Sequence, residues 1–232
     1  MILFCIPYAG SSADIYSKWD NFIDKSIKVY PIELNGRGKL FGKDFYQSIE
    51  EAIDDIFNRI SDKIENEEYA IYGHSMGSLL AYELYNKIKE SNMKLPKHIF
   101  FSGCRAPDVA TVLDKMIYLD KEDFKKRLIE IGGISEELAK NNVVFNLYAR
   151  IIRNDLTMVS KYKYKEKNSK IECSISVLNG KSDIIAEEEI LPWKKHTINK
   201  FNMYYISGNH FFINDEDNIE KITQIINMTL LK

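Results

Sequence analysis

The sequence predicts an α/β protein built on a doubly wound, mostly parallel sheet. Three observations predict it. Short runs rich in β-branched and aromatic residues recur along the chain, and longer segments with helical periodicity separate them. The short runs are also nearly continuous in apolar character rather than alternating, as expected of strands covered on both faces. The chain has 232 residues, 45% of them hydrophobic and 28% charged, an ordinary globular mixture of single-domain size. No repeat, low-complexity tract or Pro/Gly linker divides it, so one domain over 1–232 is expected.

The elements follow in order. A strand is expected at 2–6 (Ile-Leu-Phe-Cys-Ile) and a second at 28–32. Ile49, Ile53, Ile56, Phe57 and Ile60 recur at helical spacing and define a helix over 48–64. A strand at 69–72 leads into a helix over 77–89, and a fourth strand falls at 98–101. The rhythm then breaks. Segments 120–131, 135–142 and 143–160 all have helical periodicity, with Gly132-Gly133 between the first two, and no strand pattern returns until 174–178. A crossover needs about a dozen residues, so 108–170 is expected to be a helical insertion. It precedes the strand that carries the candidate acid below, so it is expected to form a lid; the plainer expectation is a packed subdomain. A helix over 186–194, a strand at 203–206 and a helix over 219–231 complete the chain.

Bulk properties exclude several classes. The formal net charge is -2 and no basic patch stands out, so a nucleic-acid partner is not expected. The most Lys-rich stretch, 161–167, interleaves lysines with Tyr162, Tyr164 and Glu166 and reads as a solvated surface segment. Cys5, Cys104 and Cys173 are odd in number and widely spaced, which suggests neither a disulfide framework nor a metal site; Cys5 and Cys173 read as buried small hydrophobes. No apolar run approaches the roughly 20 residues of a membrane span, and none resembles a leader. A cytoplasmic protein is expected.

The chemistry centres on Gly73-His74-Ser75-Met76-Gly77, a G-x-S-x-G segment between a strand and a helix. The glycines leave room for a tight turn that lifts the serine hydroxyl to the carboxyl end of the sheet, in the manner of α/β-hydrolase folds. Ser75 is the candidate nucleophile. The base must come from four histidines. His74 cannot turn back onto its neighbour's hydroxyl, His98 opens a strand at the sheet's amino end, and His196 reads as a surface residue closing a helix. His210, in the loop Ser207-Gly208-Asn209-His210 after the last strand, is the expected base. The acid should follow an intervening strand. Asp183, in Asn179-Gly180-Lys181-Ser182-Asp183, is favoured over Asp108 and over Asp155. The N–H of Met76, first in the helix after the elbow, and the N–H of Ala9, in Pro7-Tyr8-Ala9-Gly10, are the expected oxyanion donors, with Tyr8 as the alternative to Ala9.

These pieces and others resemble the type II (external, editing) thioesterases of nonribosomal peptide and polyketide synthase systems, within the α/β-hydrolase superfamily. The resemblance runs almost end to end through Pro7-Tyr8-Ala9-Gly10, Asn35-Gly36-Arg37-Gly38, the elbow, Ser102-Gly103-Cys104-Arg105-Ala106-Pro107, segment 128–133, Arg153-Asn154-Asp155, Gly180-Lys181-Ser182-Asp183, Trp193 and Gly208-Asn209-His210-Phe211-Phe212. Asn35 and Asn154 depart from the pattern, where Pro and Ala are usual. The resemblance implies hydrolysis of acyl thioesters on the phosphopantetheine arm of an acyl- or peptidyl-carrier protein, in an editing role, with no cofactor or metal. A monomer is expected. The competing readings are a small-molecule carboxylesterase or lipase and, in another class, a non-catalytic carrier-binding module. The insertion bears on the first: Lys121-Glu122-Asp123 and Lys125-Lys126-Arg127 are too charged for a lipid-facing flap, and the three basic residues are candidate carrier contacts.

Overall fold

Alternate residues of each central strand enter different cores, which is why the strands read as unbroken apolar runs. In the computed structural model, which describes residues 1–109 and 114–231, six strands form one sheet: β1 (Ile2–Ile6), β2 (Lys28–Pro31), β3 (Tyr69–His74), β4 (His98–Ser102), β5 (Ser174–Gly180) and β6 (Phe201–Ile206). The order is β2-β1-β3-β4-β5-β6 and every neighbouring pair is parallel. Ile2, Phe4 and Ile6 face one side with Ile71, Phe101 and Val177, whereas Leu3 and Cys5 face the other with Tyr72 and Phe100.

Helices cover both faces, as the doubly wound expectation requires. α1 (Ile49–Asn66) and α2 (Met76–Glu90) pack on the first face through Ile53, Ile56, Ile60, Leu80, Leu84 and Ile88. Ser48 caps α1 by accepting the Glu51 N–H, so the helix starts one residue later than the periodicity suggests. On the second face, 3-10 turns at Ala13–Tyr16 and Trp19–Asn21 bring in Tyr16 and Trp19. The last helix of the chain, Glu216–Leu230, adds Ile219, Ile222 and Ile226 there.

Among the described residues, four helices lie between β4 and β5: α3 (Asp114–Ile117), α4 (Lys121–Glu130), α5 (Glu136–Lys140) and α6 (Asn142–Lys161). Part of this expected insertion, 110–113, lies outside the described residues. α4 to α6 have their own small core of Phe124, Leu128, Ile134, Ala139, Phe145, Ile152 and Leu156, against which Ala9 packs. Arg153 ties the group together, donating to the Ile117 and Leu119 carbonyls at 2.7 Å and lying 4.0 Å over the Phe124 ring. The group's surface is mixed rather than uniformly charged, since Tyr118, Val143 and Leu147 are exposed on it.

Two local expectations need correction. The helix expected over 186–194 is a four-residue turn, α7 (Glu187–Ile190), running into a 3-10 helix (Leu191–His196). Pro192, which has no N–H to donate to a continuing α-helix, sits at that junction. The final helix, α8 (Glu216–Leu230), starts earlier than expected because Asp215 caps it through the Asn218 N–H. The Lys-rich stretch is only half solvated: Lys161, Lys163 and Lys165 are exposed, but the Tyr162 hydroxyl and Lys167 both bind Glu83, at 2.6 and 2.7 Å. Cys5 and Cys173 are buried as expected, and burial pushes the Cys173 thiol up to about 12.

Candidate functional site

The turn at Ser75 is strained by design of its surroundings. Ser75 has φ 53° and ψ −116°, a backbone region that L-residues rarely occupy. A Cβ at Gly73 would strike the Gly77 carbonyl, and one at Gly77 would strike the Ile6 carbonyl, so both elbow glycines are required by space. Ser78 stitches the turn from below, donating toward the Gly73 carbonyl at 2.7 Å and accepting the Ser102 N–H at 2.9 Å. The Ser75 N–H itself reaches the Ser102 carbonyl at 2.7 Å. The strain is thus held by hydrogen bonds to β4.

The structure brings Ser75, His210 and Asp183 together from three strand ends. His210 Nε2 lies 3.0 Å from Ser75 Oγ, and its Nδ1 lies 3.0 and 3.2 Å from the two Asp183 oxygens. The Asp183 side chain is fully buried and also accepts the Ile185 N–H at 3.1 Å. Backbone bonds tie the loops that carry acid and base, from Ser182 N–H to the Gly208 carbonyl and from Lys181 N–H to the Ile206 carbonyl. Asn218 of α8 braces the base's loop with bonds to the Ser207 and Phe212 carbonyls.

The rejected candidates have other partners. Asp108 and His196, the competitors for acid and base, bind each other at 2.6 Å. His196 is buried among Tyr82, Tyr164 and Trp193, which corrects the expectation of a surface residue. Burial works to raise the Asp108 carboxyl, but hydrogen bonds from Lys195 and His196 outweigh it and hold the group below its ordinary value. Asp155 pairs with Arg37. His98 is buried at the amino end of β4 against the Ser176 hydroxyl at 2.9 Å, and burial lowers its pKa to about 4.

Sequence reasoning set His74 aside as a base and missed what else it does. Its ring is fully buried, with Nε2 2.9 Å from the His210 carbonyl and Nδ1 2.8 Å from Ser102 Oγ. A carbonyl only accepts, so Nε2 carries the proton and the Ser102 hydroxyl donates to Nδ1. Burial first, then the neighbouring His210, lowers the His74 pKa well below its ordinary value, so the ring stays neutral. The residue beside the candidate nucleophile therefore grips the backbone of the candidate base. The only sequence signal was a polar side chain inside a buried turn.

Residues 7–10 border this group. The Ile6 and Pro7 carbonyls abut Gly77, and the Tyr8 ring meets His74 and Phe211 edge-on at 5.7 and 5.2 Å. Ala9 thus follows a segment packed against the start of α2, where Met76 is the first helical residue. A serine hydroxyl, an imidazole and a buried carboxylate in this sequence of contacts can perform acyl transfer. A surface cleft of about 430 Å³ touches the group at Asp183, with Ile185 and Tyr205 in its lining, and another of about 410 Å³ is lined by Asp108, His196 and Tyr164; neither is lined by Ser75 or His210.

Comparison with known proteins agrees with the fold. A family model described as a thioesterase domain matches residues 1–230. A protein of Brevibacillus parabrevis named linear gramicidin dehydrogenase LgrE is 30% identical over 99% of this chain and 88% of its own length. The gramicidin S biosynthesis protein GrsT of Aneurinibacillus migulanus is 29% identical over 91% of this chain and 82% of its own. The crystal structure of ClbQ, from the colibactin NRPS/PKS pathway, superposes with a TM-score of 0.92 at 29% identity, covering 99% of this chain and 96% of that one.

Proposed function

The chain belongs to the thioesterase family, and from that premise we propose that it hydrolyses acyl thioesters on the phosphopantetheine arm of a carrier protein, with Ser75 as nucleophile, His210 as base and Asp183 orienting the base. The observation that carries the assignment is the unbroken contact chain Ser75–His210–Asp183 at 3.0 Å per link. Ser75 Oγ attacks the thioester carbonyl while His210 Nε2 takes its proton. Asp183 holds Nδ1–H and stabilises the imidazolium without being protonated. The Met76 and Ala9 N–H groups receive the oxyanion. Collapse expels the thiol, which regains the proton from His210, and leaves an acyl ester on Ser75. Water, deprotonated by His210, then releases the acid.

A carrier-bound substrate is supported by the synthase pathways named for GrsT and ClbQ, and editing of misprimed or stalled units is the role proposed with it. The helices of 108–170 are proposed as the lid over this site, supported by the packing of Ala9 and of Gly132 and Gly133 against Asn209 and Phe211. Of the three basic candidates for carrier contact, Lys125 is engaged over the Phe145 ring, while Lys126 and Arg127 are both exposed, Arg127 in a pair with Glu130. The dehydrogenase name of one relative finds no dinucleotide fingerprint here: Gly36-Arg37-Gly38 has Phe41 where a third glycine belongs. The sequence-based expectation of a cytoplasmic monomer accompanies this reading. The deciding experiment compares hydrolysis of one acyl group on a carrier protein and on a small free thiol. Higher kcat/KM on the carrier supports the proposal, and equal efficiency returns the protein to a general esterase.

A further inference from the structure

One residue of the inserted helices reaches into the loop beside the elbow. Asp155, on α6 and 1% exposed, accepts the Gly10 N–H at 2.7 Å. Its two oxygens also take both terminal nitrogens of Arg37, each at 2.6 Å. Arg37, 3% exposed, donates in addition to the Ser11 carbonyl at 3.1 Å. One turn earlier on the same helix, Ile152 packs so close to Gly10, at φ +85°, that a Cβ there would collide with it. The loop is therefore held at one residue by an apolar contact and a charged one, both from α6.

Stability alone does not account for this arrangement. A buried Arg–Asp pair can often be replaced by apolar residues with no loss of stability. Its geometry points elsewhere. An acceptor fixed on the Gly10 N–H sets the plane of the Ala9–Gly10 peptide and, through the two backbone dihedrals of Ala9, constrains where the preceding N–H, that of Ala9, points. A lone carboxylate on this loop would oppose an oxyanion developing beside it, and Arg37 neutralises it.

We propose that Asp155, held by Arg37, is a positioning residue for acyl transfer: it aligns the Ala9 N–H with that of Met76, so that the inserted helices form part of the oxyanion site and not only its cover. This rests on the reading in which those two N–H groups receive the oxyanion. Loss of a whole oxyanion donor costs about 10²–10³ in kcat, so a donor left in place but misaligned should cost about 10- to 100-fold.

The test uses Asp155→Asn, the apolar pair Arg37→Met with Asp155→Leu, and Ser75→Ala. Each is measured for melting temperature, for kcat and KM on an acyl thioester, and for affinity toward a trifluoromethyl ketone, whose adduct with Ser75 places an oxyanion in the site. The expected result is a folded apolar pair whose kcat falls about 10- to 100-fold with KM little changed, and whose ketone affinity falls in parallel with kcat/KM. Wild-type kcat and ketone affinity in that variant would overturn the inference. If the apolar pair fails to fold, Asp155→Asn decides by the same readouts: it removes the charge and turns an amide NH₂ toward either Arg37 or the Gly10 N–H, where Oδ1 and Oδ2 both accept in the native pair, so the anchor on the loop is weakened. Covalent ketone binding by Ser75→Ala would instead sink the reading of the nucleophile itself, an outcome distinct from an Asp155 variant with intact affinity.

Discussion

Replacing Asp183 with Asn should disable the site through a single proton. The substitution removes a charge and changes almost no volume. In the native site Oδ1 accepts the Ile185 N–H at 3.1 Å, and Oδ2 lies 3.0 Å from His210 Nδ1. The one oxygen of an asparagine stays on the Ile185 N–H, which turns the amide NH₂ toward Nδ1. Two donors cannot face each other, so Nδ1 becomes the acceptor and the ring proton moves to Nε2. That proton then points at Ser75 Oγ, 3.0 Å away, and His210 can no longer take the serine's own. A wrong-tautomer defect of this kind costs about 10⁴ in kcat, or about 5 kcal/mol at 1.36 kcal/mol per decade. Thiol release from an acyl thioester gives kcat, and thermal melting checks the fold, which should move by a few degrees only. Asp108→Asn is the paired control. It breaks the bond to His196 and should lower stability while leaving kcat within about twofold. A Asp183→Asn enzyme with a tenth of normal turnover, or a large kcat loss from Asp108→Asn, would refute the reasoning.

Further outcomes follow from other contacts. His74→Phe keeps a ring but strands the Ser102 hydroxyl and the His210 carbonyl; kcat should fall roughly 10- to 100-fold with KM little changed, and a lowered melting temperature with wild-type kcat would reduce His74 to a packing role. Burial holds His98 near pKa 4 against about 6.5 when unfolded, so the unfolded chain binds the extra proton and stability falls as pH drops through that window. Urea unfolding at pH 7 and pH 5 should differ by about 2 kcal/mol from His98 alone, and His98→Gln should remove that share; an unchanged difference would contradict it. His74 is depressed in the same direction and adds to the slope. Gly77→Ala, with a Cβ aimed at the Ile6 carbonyl, should leave little folded, active protein, as solubility and melting would report. Charge reversal at Lys126 should slow hydrolysis of carrier-bound substrate and spare the small thiol; equal effects on both would remove it from the docking face.

What could be read from the sequence was what depends on neighbours in the chain. The strands announced themselves because both faces of β1, β3 and β4 are buried, and the elbow because its glycines sit at fixed offsets between a strand and a helix. The grouping of Ser75, Asp183 and His210 was legible through chain order and the loops that end β5 and β6. What was not legible depends on distant partners. His196 looks like a surface residue until Asp108, 88 positions earlier, is folded against it. The role of His74 needs a backbone carbonyl 136 residues away, and that of Asp155 needs Arg37 at a separation of 118. Tyr162 and Tyr164 hid among lysines because burial by residue type cannot register Glu83 or the aromatic cluster around His196. Asn154, a departure from the family pattern, donates to the Tyr46 carbonyl at 3.3 Å and so finds a use that no local rule predicts.

The most direct test of the central claim is the site of acylation. Wild-type protein is mixed with an acyl thioester, quenched in acid during turnover, digested and analysed by mass spectrometry. The account predicts the added acyl mass on the peptide carrying Ser75, accumulating further in Asp183→Asn if deacylation slows more than acylation, and absent from Ser75→Ala together with its turnover. Acyl mass on another residue, or sustained hydrolysis by Ser75→Ala, would contradict it.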